Sequence, residues 1–292
     1  MPVRVTLDVF SGRPNPTIEL GRSTGAELLE LMVTQRKAAH AQPEDQRPAL
    51  GYRGVIIEHG QDDQVKLPDR FRVFRDRLIG GDACYLLPDT AIETILLREF
   101  RALRPDLLST GLIDSIDSGR REMSERLSPI KTPAPATKGA CACAPLYEPQ
   151  WWNDGAEGGA IQFHNNCYNY ACDYRSDTFA QPGRAAGAMY AHLECASVAP
   201  AALKDRLENY PRRQIQCPEE GHLVALVVWP QFDFHWYRLG RDGLWSHKPG
   251  GMPVTNVDNS GHVIRDPRLA DRGDYTKFCA FMIVRHGHVK IQ

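Results

Sequence analysis

The sequence predicts an α+β protein in two folded parts, and three observations predict it. Short strand patterns and capped amphipathic helices alternate over residues 1–127. A proline- and alanine-rich stretch interrupts the chain at 128–150. Residues 151–292 then place helical patterns first and strand patterns, including a hairpin, last.

In the first part, Val3, Val5, Leu7 and Val9 alternate with Arg4, Thr6 and Asp8, the period of a half-buried strand. Ser11-Gly12-Arg13-Pro14-Asn15-Pro16 reads as the turn into a second strand at Thr17–Leu20. Thr24 with Glu27 has the spacing of a capping box for a helix to about residue 37, burying Leu28, Leu31 and Met32. Val55-Ile56-Ile57 and Phe71-Arg72-Val73-Phe74 read as strands, with Arg70, Arg72, Arg75 and Arg77 on a solvated face. Thr90 with Glu93 opens a second helix carrying Ile92, Ile95, Leu96 and Phe100. Nothing in this small α+β domain points to catalysis.

Between 128 and 150, prolines 129, 133, 135, 145 and 149 mark a linker. Its Cys141-Ala142-Cys143 is C-x-C, without the C-x-x-C spacing of zinc or redox sites, and reads as two incidental thiols.

The second part carries the candidate chemistry. In His164-Asn165-Asn166-Cys167-Tyr168-Asn169-Tyr170-Ala171-Cys172, the spacing of Cys167, Tyr170, Ala171 and Tyr174 follows one helix face, with Asn165 or Asn166 as N-cap. Cys167 then lies in a first helical turn, where unpaired N–H groups favour the thiolate. A small buried core residue is the alternative reading. Residues 187–196 and 201–210 read as helices placing Met189, Leu193 and Leu203 in the core, with Cys195 among them.

Leu223-Val224-Ala225-Leu226-Val227-Val228 fits a buried strand, and Phe234-His235-Trp236-Tyr237-Arg238-Leu239 a second. Leu244-Trp245-Ser246-His247-Lys248 returns as its partner. If Arg241-Asp242-Gly243 form a three-residue loop with Gly243 left-handed, residues 240 and 244 pair. His235 and His247 then share a face as diagonal neighbours, ~7–8 Å apart by Cα. A two-residue loop would separate them. Val263-Ile264 and the run from Phe278 to Val284 read as closing strands, with Cys279 in the core. Cysteine, imidazole base and a third polar group are the parts of thiol catalysis, here Cys167, His235 and His247. The Cys167 N–H with Gln162 or Asn165 would supply oxyanion donors. Asn256 or Asp258 is the alternative third residue, although turn chemistry before Asn259-Ser260-Gly261 also accounts for that pair.

On Cys167 at a helix start, Gly221-His222-Leu223-Val224 leading a strand, His235 on the next and His247 after a glycine turn, the second part resembles the NlpC-like branch of papain-like cysteine peptidases. The resemblance implies a papain-like fold with helices preceding an antiparallel sheet. It implies Cys167 as nucleophile, His235 as base and His247 as orienter, acting on a peptide or amide substrate such as bacterial cell-wall peptide. The family's Asp-Cys-Ser-Gly is Asn166-Cys167-Tyr168-Asn169 here, so contacts beside the thiol differ.

Composition limits the other classes. Of 292 residues, 42% are hydrophobic and 24% charged, which is the balance of a globular protein. With 35 Lys and Arg against 36 Asp and Glu, there is no basic field for nucleic acid. No run reaches the ~20 apolar residues of a membrane span, and the first residues lack a signal peptide's apolar core. The expectation is a cytoplasmic protein, with signal-less export as the exception, whose eight cysteines are mostly reduced. No cofactor is expected. The competing functions are a binding or toxin-associated module that keeps the fold without turnover, and a zinc site built from His164, Cys167 and Cys172.

Overall fold

The computed structural model describes residues 2–40, 48–60, 66–81, 83–88, 91–125, 141–153 and 160–292. Thr90 and most of the expected linker, residues 128–140, lie outside them. Contacts divide the chain into two compact units. The first holds Met1–Val9, Asn15–Arg47 and Gly51–Leu127; the second holds Phe10–Pro14, Pro48–Leu50 and Ser128–Gln292. Both are mixed α and β, and every strand pairing is antiparallel.

In the first unit, β1 (Val3–Leu7), β2 (Thr17–Leu20), α1 (Arg22–Gln35), β3 (Lys37–Ala38), β4 (Val55–His59), β5 (Arg70–Phe74), β6 (Arg77–Gly80) and β7 (Ala83–Leu86) are followed by α2 (Ala91–Leu103) and α3 (Thr110–Glu125). The sheet runs β2-β1-β4-β5-β6-β7-β3. Alternation works as read: Val3, Val5 and Leu7 are buried and Arg4 is exposed. Capping does not, because α1 starts on Gly21 with no side-chain cap. Nor is the arginine face wholly solvated. Arg72 is buried, and with Arg53 it grips the buried Asp8 carboxylate, both at 2.5 Å.

In the second unit, α4 (Ala160–His164), α5 (Cys167–Ala171) and α6 (Cys195–Lys204) precede β8 (Glu208–Asn209), β9 (His222–Trp229), β10 (Asp233–Leu239), β11 (Trp245–His247) and β12 (Lys277–Val284). Sheet order is β11-β10-β9-β12-β8. Central β9 is buried along its whole length, which is why its sequence is a continuous apolar run. Val224, Leu226 and Val228 of β9 pack with Phe234 and Trp236 of β10, Met282 and Val284 of β12, and Cys167, Tyr168 and Ala171 of α5. Each such large apolar side chain contributes about 1.5–3 kcal/mol by leaving water.

The hairpin register is the one the sequence predicts. Tyr237 pairs with His247, Leu239 with Trp245, and the Gly240 N–H donates to the Leu244 carbonyl at 2.8 Å with Gly243 at φ 77°. Other expectations fail. Residues 187–194 form turns and bends, leaving Met189 half exposed, and the helix lies at Cys195–Lys204 instead. Residues 201–210 run from that helix into β8, and Val263 makes only an isolated bridge to Val257. The cysteines are not mostly reduced: Cys141 is bonded to Cys217 and Cys195 to Cys279, leaving Cys84, Cys143, Cys167 and Cys172 free. Cys141 is thus buried and fastened within the second unit, not an incidental linker thiol. No helix among the described residues is long and apolar enough to cross a membrane.

Candidate active site

Asn166 caps α5. Its Oδ1 accepts the N–H groups of Tyr168 and Asn169, and the Asn169 Oδ1 accepts the Asn166 N–H, so Cys167 is the first residue inside the helix. The helix is a single turn ending at Ala171, and Tyr174 lies outside it, half exposed. The thiol is therefore not activated as expected. Burial pushes the Cys167 thiol up and the Asp233 carboxylate adds to that, outweighing Trp236 backbone, Ser11 and Lys248, which pull it down.

β10 explains the placing of thiol and imidazole. The Gly240 N–H points to β11, so even-numbered residues of β10 aim their peptide groups at that edge. The Cys167 sulfur sits there, 4.0 Å from the Phe234 carbonyl oxygen. Alternation puts His235 on the face opposite Phe234 and Trp236. On that face His235 Nε2 meets His247 Nδ1 at 2.8 Å, and His247 Nε2 meets the Val257 carbonyl oxygen at 3.0 Å. The expected pair of histidines is thus assembled.

Proton bookkeeping follows from the carbonyl at the end. A carbonyl only accepts, so His247 Nε2 carries a hydrogen. Burial pulls the His247 pKa down to about 4, against the opposing bond to Val257, so the ring is neutral at pH 7 and its Nδ1 is an acceptor. His235 must then donate through Nε2, and its neutral form presents a lone pair at Nδ1. What faces that lone pair, at 2.6 Å, is the Ser11 hydroxyl. Ser11 Oγ also accepts the Gly250 N–H at 3.1 Å, and the Ser11 hydroxyl is among the groups that pull the Cys167 thiol down. Lys248, fully buried, steadies this corner by donating to the carbonyls of Gln162 and Gly250 at 2.5 and 2.7 Å.

The expected oxyanion donors are spent elsewhere. Gln162 Nε2 donates to the Gly251 carbonyl, and Asn165 Nδ2 to Ile161 O and Asp177 Oδ1. Two other amides converge on one carbonyl beside the site: Asn166 Nδ2 and Gln181 Nε2 both donate to Gly12 O, at 2.6 and 2.7 Å. Asp258 is a turn residue that accepts the N–H groups of Ser260, His262 and Asp271, and Asn256 supplies its carbonyl to the Ile264 N–H. The zinc alternative fails on placement. His164 is exposed while Cys167 and Cys172 are buried, and no metal-holding group of three such residues occurs among the described ones.

Sequence reasoning missed Ser11, Asn166 as an amide donor, Gln181 and Asp233. Only the polar letters of Ser11-Gly12-Arg13 were visible, and they read as a turn.

No family model matches the chain, and no solved structure does. Among curated proteins, insoluble matrix shell protein 1 of Ruditapes philippinarum is 43% identical over 145 residues, 49% of this chain and 92% of that protein. This relative overturns the cytoplasmic expectation, since it is named for an insoluble shell matrix. The two disulfides agree, because such bonds persist in oxidising compartments. With nearly the whole length of that relative aligned at this identity, the chain belongs to the family of insoluble matrix shell protein 1.

Proposed function

We propose that the chain is a secreted, matrix-associated thiol hydrolase of papain-like, NlpC-like design acting on a peptide amide. Cys167 is its nucleophile, His235 its base and His247 its orienter. The observation that carries this reading is the neutral relay from Val257 through His247 to His235, which makes His235 Nδ1 an acceptor for the Ser11 hydroxyl, one of the groups that pull the Cys167 thiol down. Helices preceding an antiparallel sheet, with Cys167 on a helix start against β10, support the papain-like assignment. In the proposed reaction the thiol proton passes by way of the Ser11 hydroxyl to His235 Nδ1, and the sulfur adds to the carbonyl carbon. Charge gathers on the carbonyl oxygen, for which the donors are the Asn166 and Gln181 amides once the substrate carbonyl takes the place of Gly12 O, which they hold here. The amine leaves with the imidazolium proton, and water, deprotonated by the same imidazole, hydrolyses the thioester.

A second reading, a matrix module that keeps the fold without turnover, is favoured by one observation: Cys167 is fully buried with its thiol pushed up. Hydrolysis of glycine-containing peptide amides by the full chain separates the two. The hydrolase reading expects activity that Cys167→Ala and His235→Gln abolish and Cys143→Ser leaves intact. Activity unchanged in Cys167→Ala, or none in any form of the protein, would refute it.

A further inference from the structure

Residues 11–13 are fastened in the second unit as a bound peptide is fastened in a cleft. The fully buried carboxylate of Asp233 gathers three consecutive main-chain N–H groups, those of Ser11 at 2.5 Å, Gly12 at 3.1 Å and Arg13 at 3.0 Å. Tyr275 donates its hydroxyl to the same carboxylate at 2.5 Å and holds it in place. The Gly12 carbonyl takes the two amide donors already described, and Tyr190 donates to Gln181 Oε1 at 2.8 Å, which fixes that amide with its Nε2 toward Gly12. The bonds from Asp233, Asn166 and Gln181 to residues 11–13 all meet main-chain atoms, which any peptide possesses.

At Gly12 the sequence is read by exclusion. A Cβ on Gly12 would lie 2.5 Å from both the Phe234 ring and the Phe234 carbonyl oxygen, the latter fixed by the sheet. The residue before it is read by its hydroxyl, which bridges the Gly250 N–H and His235 Nδ1. Beyond Gly12 the space widens: Arg13 and Pro14 border a cavity of about 850 Å³ whose walls include Gln181, Tyr190 and Pro230.

We propose that residues 11–13 occupy a peptide-binding cleft, and that the ligand this cleft takes in trans is an extended peptide with glycine at the position of Gly12 and a small hydroxyl residue before it. The proposal deepens the hydrolase reading, because the gripped carbonyl lies in the site of Cys167 and His235, but the binding itself needs no turnover. Covalent attachment gives the internal segment a high effective concentration, so it outcompetes free peptide in the native chain. The cleft opens to an outside ligand when the segment is dislodged.

The test uses the full chain with Gly12→Ala, whose methyl group the Phe234 wall rejects. Cys167 is followed by iodoacetamide alkylation and peptide mapping, with the fold checked by circular dichroism. Cys167 in the variant should react at least ~10-fold faster than in the wild type, since access governs thiol reactivity. A synthetic peptide of residues 9–15, added in excess, should restore protection, and the same peptide with alanine for glycine should not. Asp233→Asn, which weakens the grip on the three N–H groups, should expose Cys167 in the same way. Equal Cys167 reactivity in variant and wild type, equal protection by both peptides, or failure of both variants to fold would overturn the proposal. Cleavage of the bound peptide reports separately on the hydrolase reading: protection without cleavage retains the cleft and removes the enzyme.

Discussion

Replacing His247 tests the relay, because the two obvious substitutions treat its hydrogen bonds differently. His247→Ala orphans the buried His235 Nε2–H and the buried Val257 carbonyl oxygen, now satisfied at 2.8 and 3.0 Å. At about 1–3 kcal/mol for each unsatisfied buried group, the loss is about 2–6 kcal/mol. His247→Gln can accept through Oε1 from His235 and donate through Nε2 to Val257, so it loses chiefly the stacking of Tyr237 on the imidazole, centroids 4.9 Å apart, or about 1 kcal/mol. Urea denaturation of both variants should place alanine about 2 kcal/mol or more below glutamine. Peptide hydrolysis should rank them alike, since only glutamine keeps the tautomer of His235. Equal stability and equal activity in the two variants would refute the relay.

Three further outcomes follow from the same structure. Thiol titration of the native chain should find Cys143 reacting fast, four thiols after unfolding without reductant, and all eight after reduction. Reduction should cost about 2–4 kcal/mol for each of the two disulfides, which close loops of 76 and 84 residues in sequence separation, and an unchanged denaturation midpoint would refute this. Burial alone would raise Asp8, but Arg53 and Arg72 overcome it and hold its carboxyl well below the usual range. Its contribution is therefore present above the unfolded pKa of about 3.9 and lost as pH falls below it. Asp8→Asn should cost about 3–5 kcal/mol at pH 7 and flatten the loss of stability in acid, which pH-dependent unfolding would show.

What the sequence discloses about this site is what is local. The hairpin register follows from Asp242-Gly243, because a left-handed Gly243 sets which residues pair and so puts His235 and His247 on one face. Asn166 is legible as a cap because capping is decided within three residues. Ser11 is not legible: it meets His235 across 224 residues, and Asp233 meets Ser11 across 222, so no spacing rule connects them. The thiol's state is missed for a different reason. Helix-start chemistry predicts a lowered pKa, whereas α5 is one turn long and its cysteine is fully buried, so desolvation wins. The disulfides are missed because compartment was inferred from the first residues, and Cys195 and Cys279 are 84 positions apart.

The central claim is that Cys167 is a nucleophile served by His235. The most direct measurement is to treat the full chain carrying Gly12→Ala, in which the internal segment is dislodged, with a vinyl sulfone carrying the peptide Phe-Ser-Gly, digest it, and locate the covalent adduct by mass spectrometry. The account predicts an adduct on the Cys167 sulfur whose rate falls roughly 10²–10⁴-fold in His235→Gln. An adduct confined to the exposed Cys143, or a Cys167 adduct that forms equally fast without His235, would contradict it.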